Sequence, residues 1–72
     1  MPETVGQRLR MARKKKEWTQ NKLSEVSGVG RNSICFYERE CVDPSFFNIT
    51  CIADALDVSL DWLAGRKENM GV

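Results

Sequence analysis

Residues 31–39 carry side chains suited to molecular recognition, because polar and aromatic groups recur there on one side of a predicted helix. At 100° per residue, five of them fall within a sector of about 140°. These five are Arg31, Asn32, Cys35, Phe36 and Arg39. Ser33, Ile34 and Tyr37 fall on the opposite side, which we expect to face the core. The segment therefore offers a guanidinium group, an amide, a thiol and an exposed ring to a partner.

This combination of groups suits the edges of bases in the major groove of DNA. An arginine can bind guanine O6 and N7 with two hydrogen bonds, an asparagine can do the same to adenine, and an apolar ring can rest on a thymine methyl group. A face that is merely solvated more often carries Glu and Lys and would not normally expose Phe36. Short basic helices with one aromatic ring are nevertheless common, so this face alone leaves both interpretations open.

The segment before this helix favours the DNA interpretation. Thr19 is a suitable N-cap for a short helix in which Leu23 and Val26 form the apolar pair. Gly28 then supplies the left-handed conformation that ends a helix, and Val29 can fill the core. Two helices joined by a tight glycine turn, the second with a basic face, form the helix-turn-helix geometry that inserts a helix into the major groove.

Helical spacing of apolar residues extends over nearly the whole chain, and no segment shows convincing strand alternation. The pattern predicts an all-α fold, a compact bundle of five short helices. The first three are predicted at about Thr4–Lys16, Thr19–Ser27 and Arg31–Arg39. Ser45 is the predicted N-cap of a fourth helix and Ser59 that of a fifth.

The length of the chain sets the domain organisation, since 72 residues can close only one hydrophobic core. We expect residues 1–66 to form the helix-turn-helix domain and the polar residues 67–72 to form a flexible C-terminal tail. Hydrophobic residues make up 42% of the chain and charged residues 29%, which argues against disorder.

Charge is distributed unevenly along the chain although the formal net charge is only +1. Residues 1–40 contain nine Lys and Arg against five Glu, whereas residues 41–72 contain two against five Asp and Glu. Local potential, more than total charge, steers a polyanion to a surface. The basic half is therefore compatible with a nucleic-acid partner, although the helix dipole explains a solvated lysine run at Lys14–Lys16 equally well.

Catalytic and metal-binding groups are scarce in this sequence. It has no histidine, and Gly28–Gly30 joins two helices where a phosphate cradle would follow a strand. The three cysteines, Cys35, Cys41 and Cys51, cannot all pair and include no CxxC motif, which disfavours a zinc site. We predict a protein that is not an enzyme, binds no cofactor or metal, meets no membrane or small-molecule substrate, and is cytoplasmic with reduced thiols.

The motifs, taken in order, resemble the Cro/C1-type helix-turn-helix (XRE-like) family of phage and bacterial repressors. The resemblance covers about residues 5–65. It rests on Gly6-Gln7-Arg8-Leu9-Arg10 with Arg13, Trp18-Thr19-Gln20, Leu23-Ser24, Gly28-Val29-Gly30, Ser33-Ile34, Tyr37-Glu38-Arg39, Pro44-Ser45 and the run from Ile52 to Leu63. Each piece is weak alone, but the set is specific in this order and spacing. It implies a lambda-repressor-like DNA-binding domain that regulates transcription at a double-stranded operator, most simply by repression.

The resemblance also implies roles at the matching positions. Arg31, Asn32 and Phe36 match the base-reading positions of the recognition helix, and Cys35 is a candidate for a further base contact. Gln20 matches the family's phosphate-binding glutamine. The expected phosphate contacts are Thr19, Gln20, Ser33, Arg39 and Ser45.

Arg13 and Glu38 match an internal ion pair of the family, which would remove Arg13 from the basic surface. Two positions depart from the family pattern. Gly30 stands where Ser or Thr is usual, so the recognition helix is expected to have a weaker cap. Glu40 replaces the glycine that commonly ends that helix, and the loop after it lacks the usual basic residues.

Phe47 and Cys51 lie one turn apart where polar residues are common in the family. They predict either an exposed apolar patch, a sign of a partner surface, or packing against the Cys41-Val42 loop. The resemblance further implies a homodimer on a pseudo-palindromic site, with the dimer surface near Leu60–Met70. The alternative function is that of a protein-interaction module of the same fold, antitoxin-like or regulator-binding, using Phe36, Phe47 and Cys51.

Overall fold

The computed structural model describes residues 3–71, and within that range every regular element is a helix. The helices are α1 (Val5–Lys15), α2 (Gln20–Ser27), α3 (Arg31–Glu38), α4 (Phe46–Leu56) and α5 (Leu60–Leu63). The prediction of an all-α, five-helix fold is confirmed. Met1, Pro2 and Val72, at the ends of the predicted domain and tail, lie outside the described residues. No helix in residues 3–71 combines the length and the apolar character needed to span a bilayer.

Hydroxyl side chains begin four of the five helices. Thr4, Thr19, Ser45 and Ser59 each accept a hydrogen bond from a backbone N–H three residues further on. These bonds satisfy donors that the first turn of a helix otherwise leaves free. α3 is the exception, because Gly30 has no side chain to provide the cap. The predicted caps of α2, α4 and α5, and the weaker cap of α3, are confirmed.

A left-handed residue follows each of the five helices, and two of these residues, Gly28 and Gly65, are glycines. Gly28 ends α2 with φ of 78°, as predicted from the glycine turn. The residues that play the same part after α1, α3 and α4 are not glycines: Glu17, Glu40 and Asp57 have φ of 60°, 62° and 58°. A side chain in this conformation costs roughly 1–2 kcal/mol, because Cβ crowds the following carbonyl oxygen. Three of the tight turns therefore carry strain that glycine would remove.

The core is formed by one stripe of apolar residues from each helix. Its largest fully buried side chains are Leu9, Leu23, Ile34, Ile52, Leu56 and Leu63. Val29, between α2 and α3, is also buried, as predicted. The prediction that Val26 joins Leu23 in the core is wrong, since 48% of Val26 is exposed. α2 has only eight residues, and its packing on α3 and α4 buries Leu23 alone, so Val26 at the next turn stays in water.

α1 and α3 approach each other closely at Gly6. A Cβ atom built on this residue would collide with the carbonyl oxygen of Tyr37 and press on the Glu40 side chain. Because backbone oxygen atoms cannot move aside as a side-chain tip can, this position requires glycine. The contact fixes the distance between α1 and the helix that carries the predicted recognition face.

Arg8 is buried, although the sequence places it in the basic half of the chain. Only 3% of it is exposed, and its Nη1 donates to the carbonyl oxygens of Trp62 and Lys67 at 2.7 and 2.8 Å. Its Nε donates to Glu3 at 3.1 Å, and its guanidinium lies 5.1 Å from the centroid of the Trp62 ring. Arg8 thus joins α1 to the end of α5 and is not available to a partner.

The segment after α5, which we expected to be a flexible tail, makes several contacts with the bundle. Lys67 accepts a hydrogen bond from Arg8, and the Met70 carbonyl oxygen accepts one from the Ser59 N–H at 2.9 Å. The Met70 side chain packs against the core, beside a cavity of about 470 Å³ between the C-terminal ends of α1 and α4.

Candidate nucleic-acid interface

α3 presents two chemically different faces, and they are the faces that the sequence predicts. Arg31 and Asn32 are exposed in its first turn, and 46% of Phe36 is exposed one turn later. Ile34 and Tyr37 are 0% and 6% exposed on the opposite side. The sequence-predicted base-reading side chains are therefore brought together on one solvent-facing surface.

Cys35 and Ser33 are less exposed than Arg31 and Asn32. Both are half-buried, and neither side chain makes a hydrogen bond within residues 3–71. Arg39, the C-cap of α3, is exposed at the far end of the same helix. At 100° per residue, Cys35 and Arg39 lie between Arg31 and Phe36 within the sector, whereas Ser33 lies outside it.

The Arg13–Glu38 pair ties α1 to the end of α3. Arg13 donates from Nε to one carboxylate oxygen at 2.7 Å and from Nη2 to the other at 2.9 Å. A third bond, from Nη1 to the Trp18 carbonyl oxygen at 2.7 Å, holds the turn between α1 and α2. The hydrogen bond to Glu38 raises the pKa of Arg13, against a smaller lowering by burial. The bidentate geometry makes this a specific positional constraint on α3.

Gln20 is held in the same network. Its side-chain Nε2 donates to Glu38 Oε1 at 3.2 Å, which leaves the second amide hydrogen and the amide oxygen free. Gln20 is the first residue of α2, so its side chain lies beside backbone N–H groups that form the positive end of the helix. The Glu38 carboxylate therefore fixes the orientation of a donor at a helix terminus suited to an anion.

Thr19 and Ser45, the N-caps of α2 and α4, are two further residues where we expected phosphate contacts. Thr19 Oγ1 accepts from the Lys22 N–H at 3.0 Å, and Ser45 Oγ accepts from the Asn48 N–H at 3.1 Å. Both residues are exposed. Since each hydroxyl acts as an acceptor in its cap, its hydrogen remains available to donate to a phosphate oxygen.

The ring of Trp18 lies close to two lysines, Lys16 and Lys22, which the sequence did not identify as a pair. The ammonium group of Lys16 lies 5.2 Å from the centroid of its ring and that of Lys22 lies 6.0 Å away. Both distances are within the range of cation–π attraction. Lys16 lies at the end of α1 and Lys22 in the first turn of α2, so helical periodicity within either element could not reveal their proximity. They place two positive charges beside Thr19 and Gln20.

The loop after α3 differs from this basic surface. Residues 40–57 contain four acidic side chains and no Lys or Arg. Phe46 and Phe47, at the start of α4, are 77% and 74% exposed. Cys51 does not share this exposure, because it is half-buried and packs against the core. Of the two predicted arrangements for Phe47 and Cys51, the exposed patch describes Phe47, while Cys51 turns inward.

This fold and surface define a helix-turn-helix domain, and comparison with known proteins agrees. The family model described as "Helix-turn-helix" matches residues 9–63. The chain belongs to this family, and its resemblance to Cro/C1-type repressors is confirmed.

The curated relatives are transcriptional regulators of bacteria and phage. The chain is 34% identical over 65 residues to the HTH-type transcriptional regulator ImmR of Bacillus subtilis (strain 168), covering 90% of this chain and 51% of ImmR. It is 31% identical over 64 residues to the immunity repressor protein of Bacillus phage phi105, covering 89% of this chain and 44% of that protein. The chain therefore spans about half the length of these relatives.

Solved structures show the same architecture. The P22 c2 repressor bound to a synthetic operator superposes with a TM-score of 0.83 at 31% identity, covering 90% of this chain and 98% of that one. The biofilm regulator SinR in complex with DNA gives 0.80 at 31% identity, covering 83% and 97%. The controller protein C.AhdI from Aeromonas hydrophila gives 0.78 at 37% identity, covering 82% and 89%.

Proposed function

We propose that the protein binds a short double-stranded DNA operator in a sequence-specific manner and regulates transcription, as a repressor. α3 enters the major groove with its exposed face toward the bases. The observation that carries the proposal is the division of α3, whose polar and aromatic side chains are exposed while Ile34 and Tyr37 anchor it in the core. A rigidly anchored helix with exposed Arg31 and Asn32 matches the geometry of direct readout.

Base discrimination is assigned to the N-terminal part of α3. Arg31 and Asn32 can each form paired hydrogen bonds with a purine edge, and each such pair contributes roughly 1–3 kcal/mol of discrimination. Phe36, one turn later, supplies an apolar contact for a thymine methyl group. Cys35 lies beside these residues and makes a lesser contact at the edge of the same groove.

Phosphate binding is assigned to the starts of α2 and α4 and to residues at the two ends of α3. Gln20 is oriented by Glu38 before any DNA arrives, so little ordering is needed on binding. The proposed phosphate contacts are Thr19, Gln20, Ser33, Arg39 and Ser45. The two lysines around Trp18 add charge to this surface without contributing to sequence discrimination.

The relatives support this assignment by what they bind. P22 c2 repressor and SinR are seen in complexes with an operator and with DNA, and the phi105 relative is an immunity repressor. A single small domain buries little DNA surface, so we propose that the protein acts as a homodimer on a pseudo-palindrome with half-sites about one helical turn apart. Regulation of this kind takes place in the cytoplasm and needs neither a catalytic step nor a cofactor.

Selection from a random duplex library tests the proposal. We expect one sequence class to be enriched and its binding to weaken steeply with salt, because neutralised phosphates release counterions. Arg31→Ala should relax selection at one base pair, at a cost of about 1–3 kcal/mol. Lys22→Ala should weaken binding to all sequences alike and lower the slope of log K against log salt by about 0.9.

A failure to select any duplex would favour a protein partner over DNA. If no duplex is enriched and association with any DNA is insensitive to salt, the major-groove assignment is wrong. The same fold would then serve as a protein-interaction module. Circular dichroism of each variant provides the control, since loss of folding would also abolish selection.

A further inference from the structure

Two positive charges of the basic surface face one aromatic ring, and the three side chains form a group that we call the Trp18 clamp: Lys16, Trp18 and Lys22. The ammonium group of Lys16 lies 5.2 Å from the centroid of the indole ring, and that of Lys22 lies 6.0 Å from it. Indole is the ring that attracts a cation most strongly. The lysines come from different helices, so the ring is the group that they have in common.

The ring is held in place through the backbone on both of its sides. The Trp18 N–H donates to the Arg13 carbonyl oxygen at 3.1 Å, and the Trp18 carbonyl oxygen accepts from Arg13 Nη1 at 2.7 Å. The side chain of Trp18 is half-buried and packs against the core. Because Arg13 is itself bound to Glu38, the ring is fixed relative to the end of α3. It offers a fixed surface to lysine side chains, which are flexible by nature.

Both ammonium groups of the clamp are available to an anion. Lys16 and Lys22 are exposed, and the ion pairs found among residues 3–71 involve Arg8 and Arg13 instead. Glu17, the acidic residue next to Lys16, is exposed and is not part of any of these pairs. An aromatic ring orders a cation without cancelling its charge, because the attraction comes from the ring quadrupole. The clamp therefore presents two full positive charges.

The clamp lies at the corner where the expected phosphate contacts begin. Lys16 is the C-cap of α1, and Lys22 lies in the first turn of α2. Between them, the Thr19 hydroxyl accepts from the Lys22 N–H at 3.0 Å. The Gln20 amide, which follows, is oriented by its hydrogen bond to Glu38. Two charges, a hydroxyl and an amide thus meet at the start of α2, where the helix dipole also favours an anion.

We propose that Trp18 is a positioning residue for DNA binding: its ring holds Lys16 and Lys22 so that they act as one unit on the phosphate backbone beside Gln20. This rests on the proposed function and deepens it, since it assigns the orientation of both charges to one side chain. Two unsupported lysines repel each other, and each loses rotamer freedom when a phosphate orders it. The ring offsets part of both effects before DNA arrives.

The clamp acts on every duplex alike, because phosphate contacts carry no sequence information. Its signature is coupling: removing the ring weakens DNA binding only while the two lysines are present. Lys14 and Lys15 provide the comparison within the same run. Both are exposed at the end of α1, whereas the lysines over the ring are Lys16 and Lys22.

Binding of the full chain to a duplex of random sequence, measured over a series of salt concentrations, tests the proposal. Trp18→Leu keeps an apolar side chain but removes the ring, and we expect it to weaken binding about fivefold. Trp18→Phe, which retains a weaker ring, should weaken it about twofold. Lys16→Met with Lys22→Met should lower the slope of log K against log salt by about 1.8, because two phosphate contacts are lost.

The double-mutant cycle separates positioning from a structural effect. In the background without Lys16 and Lys22, Trp18→Leu should change affinity by less than about twofold. In the matched background, Lys14→Met with Lys15→Met, it should keep its full effect of about fivefold. Urea denaturation of each variant checks folding. Should Trp18→Leu not fold, the same cycle is measured with Trp18→Phe.

A measurement without DNA checks the contact itself. An aromatic ring shifts the NMR signals of protons above its face upfield. The ε-methylene protons of Lys16 and Lys22 should therefore resonate upfield of those of Lys14 and Lys15, and Trp18→Leu should abolish the difference.

Two results would overturn the proposal. One is a set of lysine signals that Trp18→Leu leaves unchanged, which would mean that the ring does not hold the ammonium groups. The other is an equal loss of affinity from Trp18→Leu with and without the two lysines, which would show that the ring acts through the fold alone. Failure of the proposed function looks different, because no sequence is then selected from the library while the coupling between Trp18 and the lysines persists on the random duplex.

Discussion

The side-chain amide of Gln20 donates to the carboxylate of Glu38 at 3.2 Å, so the first residue of α2 is held by the last residue of α3. Glu38 is itself fixed by two hydrogen bonds from Arg13. One carboxylate thus connects a structural ion pair to the residue proposed to bind phosphate. The Glu38 carboxylate therefore sets both the packing of α2 on α3 and the orientation of the Gln20 side chain toward an anion.

Removing the Glu38 charge should affect stability first and binding second. Glu38→Gln leaves Arg13 buried without its counter-charge, and we expect a loss of about 3 kcal/mol in the free energy of unfolding. Urea denaturation measures it, with Glu25→Gln, on the exposed face of α2, as the control. Because the pKa of Arg13 is raised in the folded state, its contribution is fully present below the ordinary arginine pKa and is lost only as pH rises through the raised value.

A paired replacement separates the charge from the packing. Arg13→Met with Glu38→Leu removes both ions together, and we expect it to recover most of the stability lost in Glu38→Gln. Affinity for DNA should not recover with it, because Gln20 is no longer oriented. Equal recovery of stability and affinity would show that Gln20 needs no support from Glu38.

Truncation of Phe36 and truncation of Ile34, which lie on opposite faces of α3, should lower stability by different amounts. Phe36→Ala removes a ring that is half in water, so the free energy of unfolding should fall by less than about 1 kcal/mol while base preference changes. Ile34→Ala empties a site that is 0% exposed and should cost about 2–5 kcal/mol. Thermal unfolding of both variants, with library selection of the first, compares them. A large loss of stability in Phe36→Ala would place the ring in the core.

The close approach at Gly6 predicts a severe effect from the smallest possible side chain. Gly6→Ala should lower the free energy of unfolding by about 2 kcal/mol or more, because the added Cβ collides with the Tyr37 backbone. Gly30→Ala is the matched control, since the nearest atom to its added Cβ is 4.0 Å away. Chemical denaturation compares the two. Similar, small losses in both variants would mean that α1 and α3 can separate freely.

Strain at the end of α3 can be relieved by glycine. Glu40 has φ of 62°, so Glu40→Gly should raise the free energy of unfolding by about 1 kcal/mol. Glu25→Gly, within α2, should lower it by about 1 kcal/mol, because glycine there loses conformational freedom on folding. Opposite signs for the same substitution test the backbone argument directly. A loss at Glu40 would show that its side chain, which lies near Gly6, stabilises the α1–α3 contact more than its conformation costs.

Local chemistry determined much of this structure. Caps at Thr19, Ser45 and Ser59 and the turn at Gly28 fix where helices begin and end, because the groups that satisfy a helix terminus lie within a few residues of it. Periodicity then sorts the side chains of α3 into two faces. These features are properties of short segments, so the sequence was sufficient to predict them.

Tertiary packing decided which of the apolar and basic side chains are covered. Periodicity groups Leu23 with Val26 and Phe47 with Cys51. Packing against other helices buries Leu23 and half-buries Cys51, and it leaves Val26 and Phe47 exposed to water. Arg8 counts as basic in the sequence, but in the structure it is buried and donates a hydrogen bond to a carbonyl oxygen of α5. Contacts between distant segments depend on how the helices are stacked, and helical spacing within one segment carries no information about that stacking. The sequence was therefore sufficient to predict the recognition face of α3, whereas the hydrogen bond from Gln20 to Glu38 and the exposure of Phe46 emerged only from the folded chain.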